Sequence, residues 1–299
     1  MKHKNNLILK NNYKSFIIYI CFVFLISACD KIDGPFVENN NIADTTTCPV
    51  PDFPVDTIHE KIILLEKFTG HMCGNCPEAV QTADSLKQTY KDQLIIYSAH
   101  VGYFASIVEP NYTYDFRSEV ATDISNYFGN DDAGLPNGMI NRKEFGGNLI
   151  LPHTNWASAI QQIIDTLPDI DINIINEYNA TDRKLCMHIQ TIFLNNLNGT
   201  FNLAVYITED SIVSYQKDYN STPADIPDFV HNHALRDAIN GTWGTTLTSG
   251  IIHADTSVIK SYAYNINNNW DVNQCSIVAF VYDYDTKEIL QVAEKHIIE

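Results

Sequence analysis

The stretch "FTGHMCGNCPEAV", Phe68 to Val80, sets Cys73 and Cys76 on either side of a Gly-Asn pair, with Pro77 immediately after. What flanks it determines what it can be. Upstream, "KIILLEKF" is a compact apolar run from Ile62 to Phe68, the pattern of a strand covered on both faces. Downstream, "PEAVQTADSLKQTY" spaces Val80, Ala83, Leu86 and Tyr90 as one helical face, with Pro77 suited to the first turn and Glu78 favourable near the positive helix end. The cysteine pair therefore sits at a strand-to-helix junction. It reads as a redox pair, half a metal site or a structural bridge. Zinc needs about four ligands, usually a second CxxC or a close histidine pair, and neither lies in the surrounding sequence. The other two readings stay open on the residues alone.

The alternation continues outward. "LIIYSAH" from Leu94 is a second buried strand, and "SEVATDISNYFG" from Ser118 is a second helix. In "AGLPNGMINR", Pro136 heads a short strand, and "HTNWASAIQQIIDTL" presents Trp156, Ile160, Ile163, Ile164 and Leu167 as an amphipathic helix. Strand, helix, strand, helix argues an α/β unit over residues 59–167. From Pro168 the pattern becomes strand runs without helices: "DIDINIINEYN", "KLCMHIQTIFL", "FNLAVYITEDSIV", "SVIKSYAYNIN", "CSIVAFVYDYD" and "EILQVAEKHII". These predict an all-β sandwich of immunoglobulin or fibronectin type over 168–299. Residues 215–250, with "HNHALRDAINGTWG", form a long insertion, a length that is usually functional or packed. His231 and His233 could face one side of an extended segment, but without a third ligand no metal is assigned.

The N-terminus fixes the compartment. Lys2, Lys4, Lys10 and Lys14 precede the apolar run "FIIYICFVFLISA", Phe16 to Ala28, too short to span a membrane comfortably. Residues 1–28 read as a secretory signal. Its end, "LISAC", resembles the lipobox of bacterial lipoproteins, which implies cleavage before Cys29 and lipidation of that thiol. Residues 29–58, rich in Asn, Thr, Pro and Asp, read as a flexible tether.

A formal charge of −17, more negative once the lysine-bearing signal is removed, argues against nucleic acid as a partner. Of seven cysteines, Cys48, Cys73, Cys76, Cys186 and Cys275 remain in an oxidising space where disulfides persist. The odd number leaves at least one unpaired within the chain. Cys186 and Cys275 fall in separate predicted strands and are the candidates for an intersheet disulfide. A partner for Cys48 is not assigned.

The order of elements, the step from Phe68 to Cys73 and the Gly-x-Pro before a late strand resemble the thioredoxin fold. "EKFTGHMCGNCP", "GLPNGMINR" and "HNHALR" further resemble the twenty-eight-kilodalton outer-membrane protein family of Bacteroidota lipoproteins, over nearly the whole mature chain. The thioredoxin resemblance implies that Cys73 is the attacking thiol, Cys76 the resolving one, and Pro136 a cis proline whose loop faces the disulfide. Met72, Gly74, Asn75 and Pro77 depart from the usual wording, which bears on potential and partner choice.

The expected function is thiol–disulfide exchange on extracytoplasmic proteins by an envelope lipoprotein, lipid-anchored at the outer membrane. The alternative is a binding or adhesion module using the thioredoxin-like fold as scaffold. No nicotinamide or flavin fingerprint is present, so no cofactor is assigned. His71 and His100 read as hydrogen-bonded or solvated polar residues, although His71, two residues before Cys73, could raise the local positive potential.

Overall fold

In the computed structural model, residues 48–54 and 59–298 are described. The expected signal, Cys29 and most of the tether lie outside them. The run before the cysteines is β1 (Ile63–Thr69), buried at every position. It pairs in parallel with β2 (Leu94–His100), Ile63 opposite Leu94 through Thr69 opposite His100, and antiparallel with β3 (Asn137–Ile140). The first helix, α1 (Cys76–Tyr90), joins β1 to β2, and the second, α2 (Glu119–Phe128), joins β2 to β3. A short α3 (Trp156–Gln161) follows.

Both faces of β1 are apolar because both are covered. Ile63 and Leu65 pack with Ala79, Ala83 and Leu86 of α1 and with Trp156 and Ile160 of α3. Leu64 and Phe68 face the opposite core with Val120 and Ile124 of α2. The ends of α2 follow local chemistry: Ser118 Oγ accepts from the Ala121 N–H at 3.3 Å, and Gly129 closes the helix at φ +85°. The expected long helix through Leu167 is shorter. Regular helix ends at Gln161, the following turns still bury Ile163 and Ile164, and Leu167 is 87% exposed.

The later strands follow the predicted runs, except that the run from Phe201 to Val213 divides after Glu209 and its last two residues open the next strand. They are β4 (Ile170–Asn179), β5 (Lys184–Phe193), β6 (Leu197–Glu209), β11 (Ser257–Asn265), β12 (Cys275–Asp283) and β13 (Ile289–His296). The insertion is itself structured: β7 (Ile212–Lys217) and β8 (Asp225–His231) form a hairpin, followed by β9 (Ala234–Ala238) and β10 (Thr245–Ile252).

The expected boundary near 167 does not separate two sheets. One eight-stranded sheet runs β13-β12-β6-β9-β2-β1-β3, with β10 also on β6. The insertion makes the join, because β9 pairs antiparallel with β6 and touches β2 in parallel at Ser98 and Ala234. A three-stranded sheet, β11-β5-β4, covers the other face of β6 and β12. Between these layers lie Leu185, Met187 and Ile189 against Leu203, Val205, Ile277 and Ala279. A sandwich is thus present, but one of its sheets continues into the α/β part, so the described residues form a single compact β-rich unit with few helices.

The large sheet also curls. Ile289 N–H donates to the Asn141 carbonyl at 2.8 Å, and buried Gln291 bonds the Ile62 N–H and the Glu60 carbonyl. Within the curl, the Arg142 guanidinium forks onto Glu66 at 2.8–3.1 Å, and Tyr97 donates to the same carboxylate. Phe128, Trp243, Phe280 and Tyr282 surround Arg142 at 5.2–5.7 Å. This buried pair pins β1, the end of β3 and the insertion together.

Candidate functional site

The chain leaves the end of β1 at Thr69 and turns through Gly70–Asn75 before Cys76 opens α1. Cys73 N–H donates to the Gly70 carbonyl at 3.0 Å, and Cys76 N–H to the Cys73 carbonyl at 3.1 Å. This turn brings the sulfurs into a disulfide, with Cα atoms 5.4 Å apart. Pro77 and Glu78 occupy the first turn of α1, so the pair lies where helix N–H groups and the dipole favour a thiolate over a thiol.

Pro136 reaches the same end of the sheet. The Leu135–Pro136 peptide is cis, and the next residue, Asn137, pairs with Phe68. Asn137 Nδ2 donates to the carbonyls of Asn130 and Gly134 at 2.7 and 2.9 Å, holding the turn. The register therefore sets the turn that carries Pro136 and the turn that carries Cys73 and Cys76 at the same end of the paired strands β3 and β1.

The hairpin β7–β8 closes over this edge. Lys217 N–H donates to the His71 carbonyl at 2.7 Å, and Tyr219 N–H to the Gly74 carbonyl at 2.9 Å. Gln216 Nε2 donates to the Cys73 carbonyl at 3.1 Å, and Asn220 Nδ2 to Glu78 Oε1 at 2.8 Å. A Cβ on Gly74 would meet the Tyr219 ring at 2.5 Å, and one on Gly70 the Phe104 backbone at 2.6 Å. Glycine is required at Gly70 for this close approach, where Met72 N–H bonds the Phe104 carbonyl at 3.0 Å. Under this cover Cys73 is 3% and Cys76 1% exposed.

His71, His100 and His231 are buried, each hydrogen-bonded or packed on an aromatic ring. His71 Nε2 donates to the Ser106 carbonyl at 2.8 Å, and burial holds its pKa below the usual imidazole range. His100 stacks on Phe116 at 4.5 Å and burial pushes it well below its ordinary value. His231 packs on the same ring at 4.4 Å, its pKa lowered to about 4 by burial. His233 turns instead to Asp210, 3.3 Å away, so His231 and His233 do not converge. Among the described residues no group of three or more His, Cys, Asp or Glu could hold a metal ion.

Sequence reasoning missed Lys67. It is 4% exposed, burial lowers its pKa to about 8, and Asp84 opposes the shift. With Asp84, His100, Gln216 and His231 it lines a cavity of about 20 Å³, room for roughly one water. The signal was present: a lysine inside a run otherwise covered on both faces.

The expected Cys186–Cys275 bridge is not formed. Cys186 pairs with Cys48, Cα atoms 5.6 Å apart, and Cys275 is free and buried. Strand alternation is the reason. In β5, Leu185, Met187 and Ile189 face the sandwich core, so Cys186 faces outward with Cys48 and Ala263. Cys275 points inward with Ile277 and Ala279. Burial pushes its thiol up to about 12, and Sγ donates to the Asp271 carbonyl at 3.3 Å, leaving it inert.

No curated protein is significantly similar to the chain. Among solved structures, HBP35 of Porphyromonas gingivalis superposes with a TM-score of 0.56 at 15% identity, covering 81% of this chain and 77% of that one. It shares the fold. A domain of the outer membrane lipoprotein Omp28 from Porphyromonas gingivalis is 26% identical, covering 44% of this chain and 90% of that one, with a TM-score of 0.32. The family model for outer membrane protein Omp28 matches residues 122–299, which takes in β3, Pro136, the insertion and every later strand but not Cys73 and Cys76. The chain belongs to the Omp28 family and is an outer-membrane protein of the cell envelope.

Proposed function

We propose that this protein exchanges thiols and disulfides with extracytoplasmic proteins through Cys73 and Cys76, on a thioredoxin-like unit formed by β1, α1, β2, α2 and β3. The observation that carries the reading is the disulfide bridging the turn after central strand β1 to the first residue of α1. That position favours thiolate, and the parallel β1–β2 pair with antiparallel β3 brings the Pro136 turn to the same edge. Lipid attachment at Cys29 would hold this edge in the envelope, supported by the basic leader and "LISAC"; fatty-acid labelling should mark the wild type and not Cys29→Ala.

In exchange, Cys73 would be attacked or attack first and Cys76 would resolve the mixed disulfide. Replacing Cys76 with serine should trap partner proteins through Cys73 in envelope extracts under non-reducing conditions, released by dithiothreitol. Trapping none would remove the exchange reading. The second reading, a binding module with the disulfide as a brace, is favoured by the near-complete burial of both sulfurs.

A further inference from the structure

We propose that Gln216–Asn220 is a releasable strap over the Cys73–Cys76 disulfide, displaced when an extended, cysteine-bearing polypeptide takes its place. The inference rests on the exchange reading and assigns its regulation. As it stands, the disulfide cannot be reached. A thiolate must approach a sulfur to break the S–S bond; Cys73 and Cys76 are buried, and the hairpin is hydrogen-bonded to the carbonyls of His71, Cys73 and Gly74 in the turn that carries them.

The strap is held through its backbone. Lys217, the last residue of β7, and Tyr219, in the turn that follows it, donate their N–H groups to the carbonyls of His71 and Gly74 on either side of Cys73. An incoming chain could satisfy the same two acceptors with its own N–H groups, leaving no buried carbonyl unpaired. Next to this edge lie exposed apolar side chains: Tyr103 at 73%, Ile107 at 46% and Val108 at 40%. Phe104, in that same loop, accepts the Met72 N–H, which brings the apolar patch against the CxxC turn. A partner's side chains thus have a surface to rest on.

The tip is built to move as a piece. Asp218 accepts from the Asn220 N–H at 2.8 Å and from Ser221 Oγ at 2.9 Å, and its own N–H bonds the Ala224 carbonyl at 2.7 Å. These bonds stay intact if the strap lifts. What lifting breaks is the set to Gly70, His71, Cys73, Gly74 and Glu78.

With the strap displaced, a partner dithiol supplies the electrons. Its thiolate attacks Cys73 Sγ, the Cys73–Cys76 bond breaks, and Cys76 leaves as a thiolate that takes up a proton. The second partner thiolate then attacks the partner's own sulfur in the mixed disulfide, releasing Cys73. The partner is oxidised by two electrons to a disulfide, and Cys73 and Cys76 are reduced to thiols carrying the two protons.

The test is the rate at which dithiothreitol opens the Cys73–Cys76 bond in the full chain, read by alkylation and mass. Gly74→Ala places a methyl against the Tyr219 ring at a position whose φ lies outside the left-handed region, so its strain falls on the strap. Gly74→Ala and Gln216→Ala should each accelerate opening roughly tenfold, the scale of losing one or two hydrogen bonds. Adding Gly74→Ala to Tyr219→Ala should change nothing further, since the obstructing ring is gone. Wild-type rates in all variants would overturn the strap.

In case a variant misfolds, hydrogen exchange of the wild type gives an independent reading. Lys217 and Tyr219 amides should exchange by local opening, well ahead of the β6 amides; exchange as slow as β6 would overturn the strap. If the strap variants accelerate opening while Cys76→Ser traps no partner, the strap is mobile but the exchange it would regulate falls. If Cys76→Ser traps partners and the variants open at wild-type rates, exchange stands and the strap falls.

Discussion

The two disulfides close loops of very different length, and that difference separates a brace from a working pair. Cys48 and Cys186 are 138 residues apart, Cys73 and Cys76 three. Chain-entropy scaling assigns about 5 kcal/mol to the first and about 2 kcal/mol to the second. All four cysteines are similarly buried, between 1% and 8% exposed, so the small cavities left by alanine largely cancel in the comparison. Cys48→Ala/Cys186→Ala should therefore cost about 3 kcal/mol more than Cys73→Ala/Cys76→Ala. Equilibrium urea unfolding of the two oxidised variants measures it directly. If the Cys73/Cys76 variant loses as much stability as the other, the CxxC pair braces the fold and the case for exchange weakens.

Lys67→Met replaces a buried amine by a side chain of similar length. The folded lysine holds its proton less tightly than the unfolded one, so between about pH 8 and 10.5 the unfolded chain binds more protons and wild-type stability rises with pH. The methionine variant should thus be more stable by up to about 3 kcal/mol below pH 8, the gain vanishing by about pH 10.5; urea midpoints at pH 7 and 10 check the sign. Glu66→Leu leaves the Arg142 guanidinium buried without its partner and should cost about 3–5 kcal/mol, whereas Glu66→Leu/Arg142→Met should cost less than the single change. Thermal unfolding of the pair of variants distinguishes the two.

Local patterns carried much of the fold. The buried run to Phe68, the spacing after Pro77, the Ser118 cap with Gly129, and the alternating strands from Ile170 onward all appear close to where periodicity puts them. What escaped is non-local. β8 reads "DIPDFVH", with Pro227 and only His231 buried, and β9 is five residues long, so neither announces itself as a strand. Yet β9 joins the two halves of the large sheet, which is why two domains were expected where one sheet continues. The Cys186 partner was closer to hand: Leu185, Met187 and Ile189 already placed it on the outer face of β5, away from Cys275. The CxxC turn was legible because its chemistry is local. The strap across it was not, since Tyr219 and Gly74 are brought together only by the hairpin's return to the sheet edge.

The reduction potential of the Cys73–Cys76 pair, measured in glutathione buffers with alkylation as readout, tests the exchange account most directly. Exchange predicts a value above about −300 mV, within reach of thiol–disulfide partners. A value far below about −300 mV would mark a permanent bridge and contradict it.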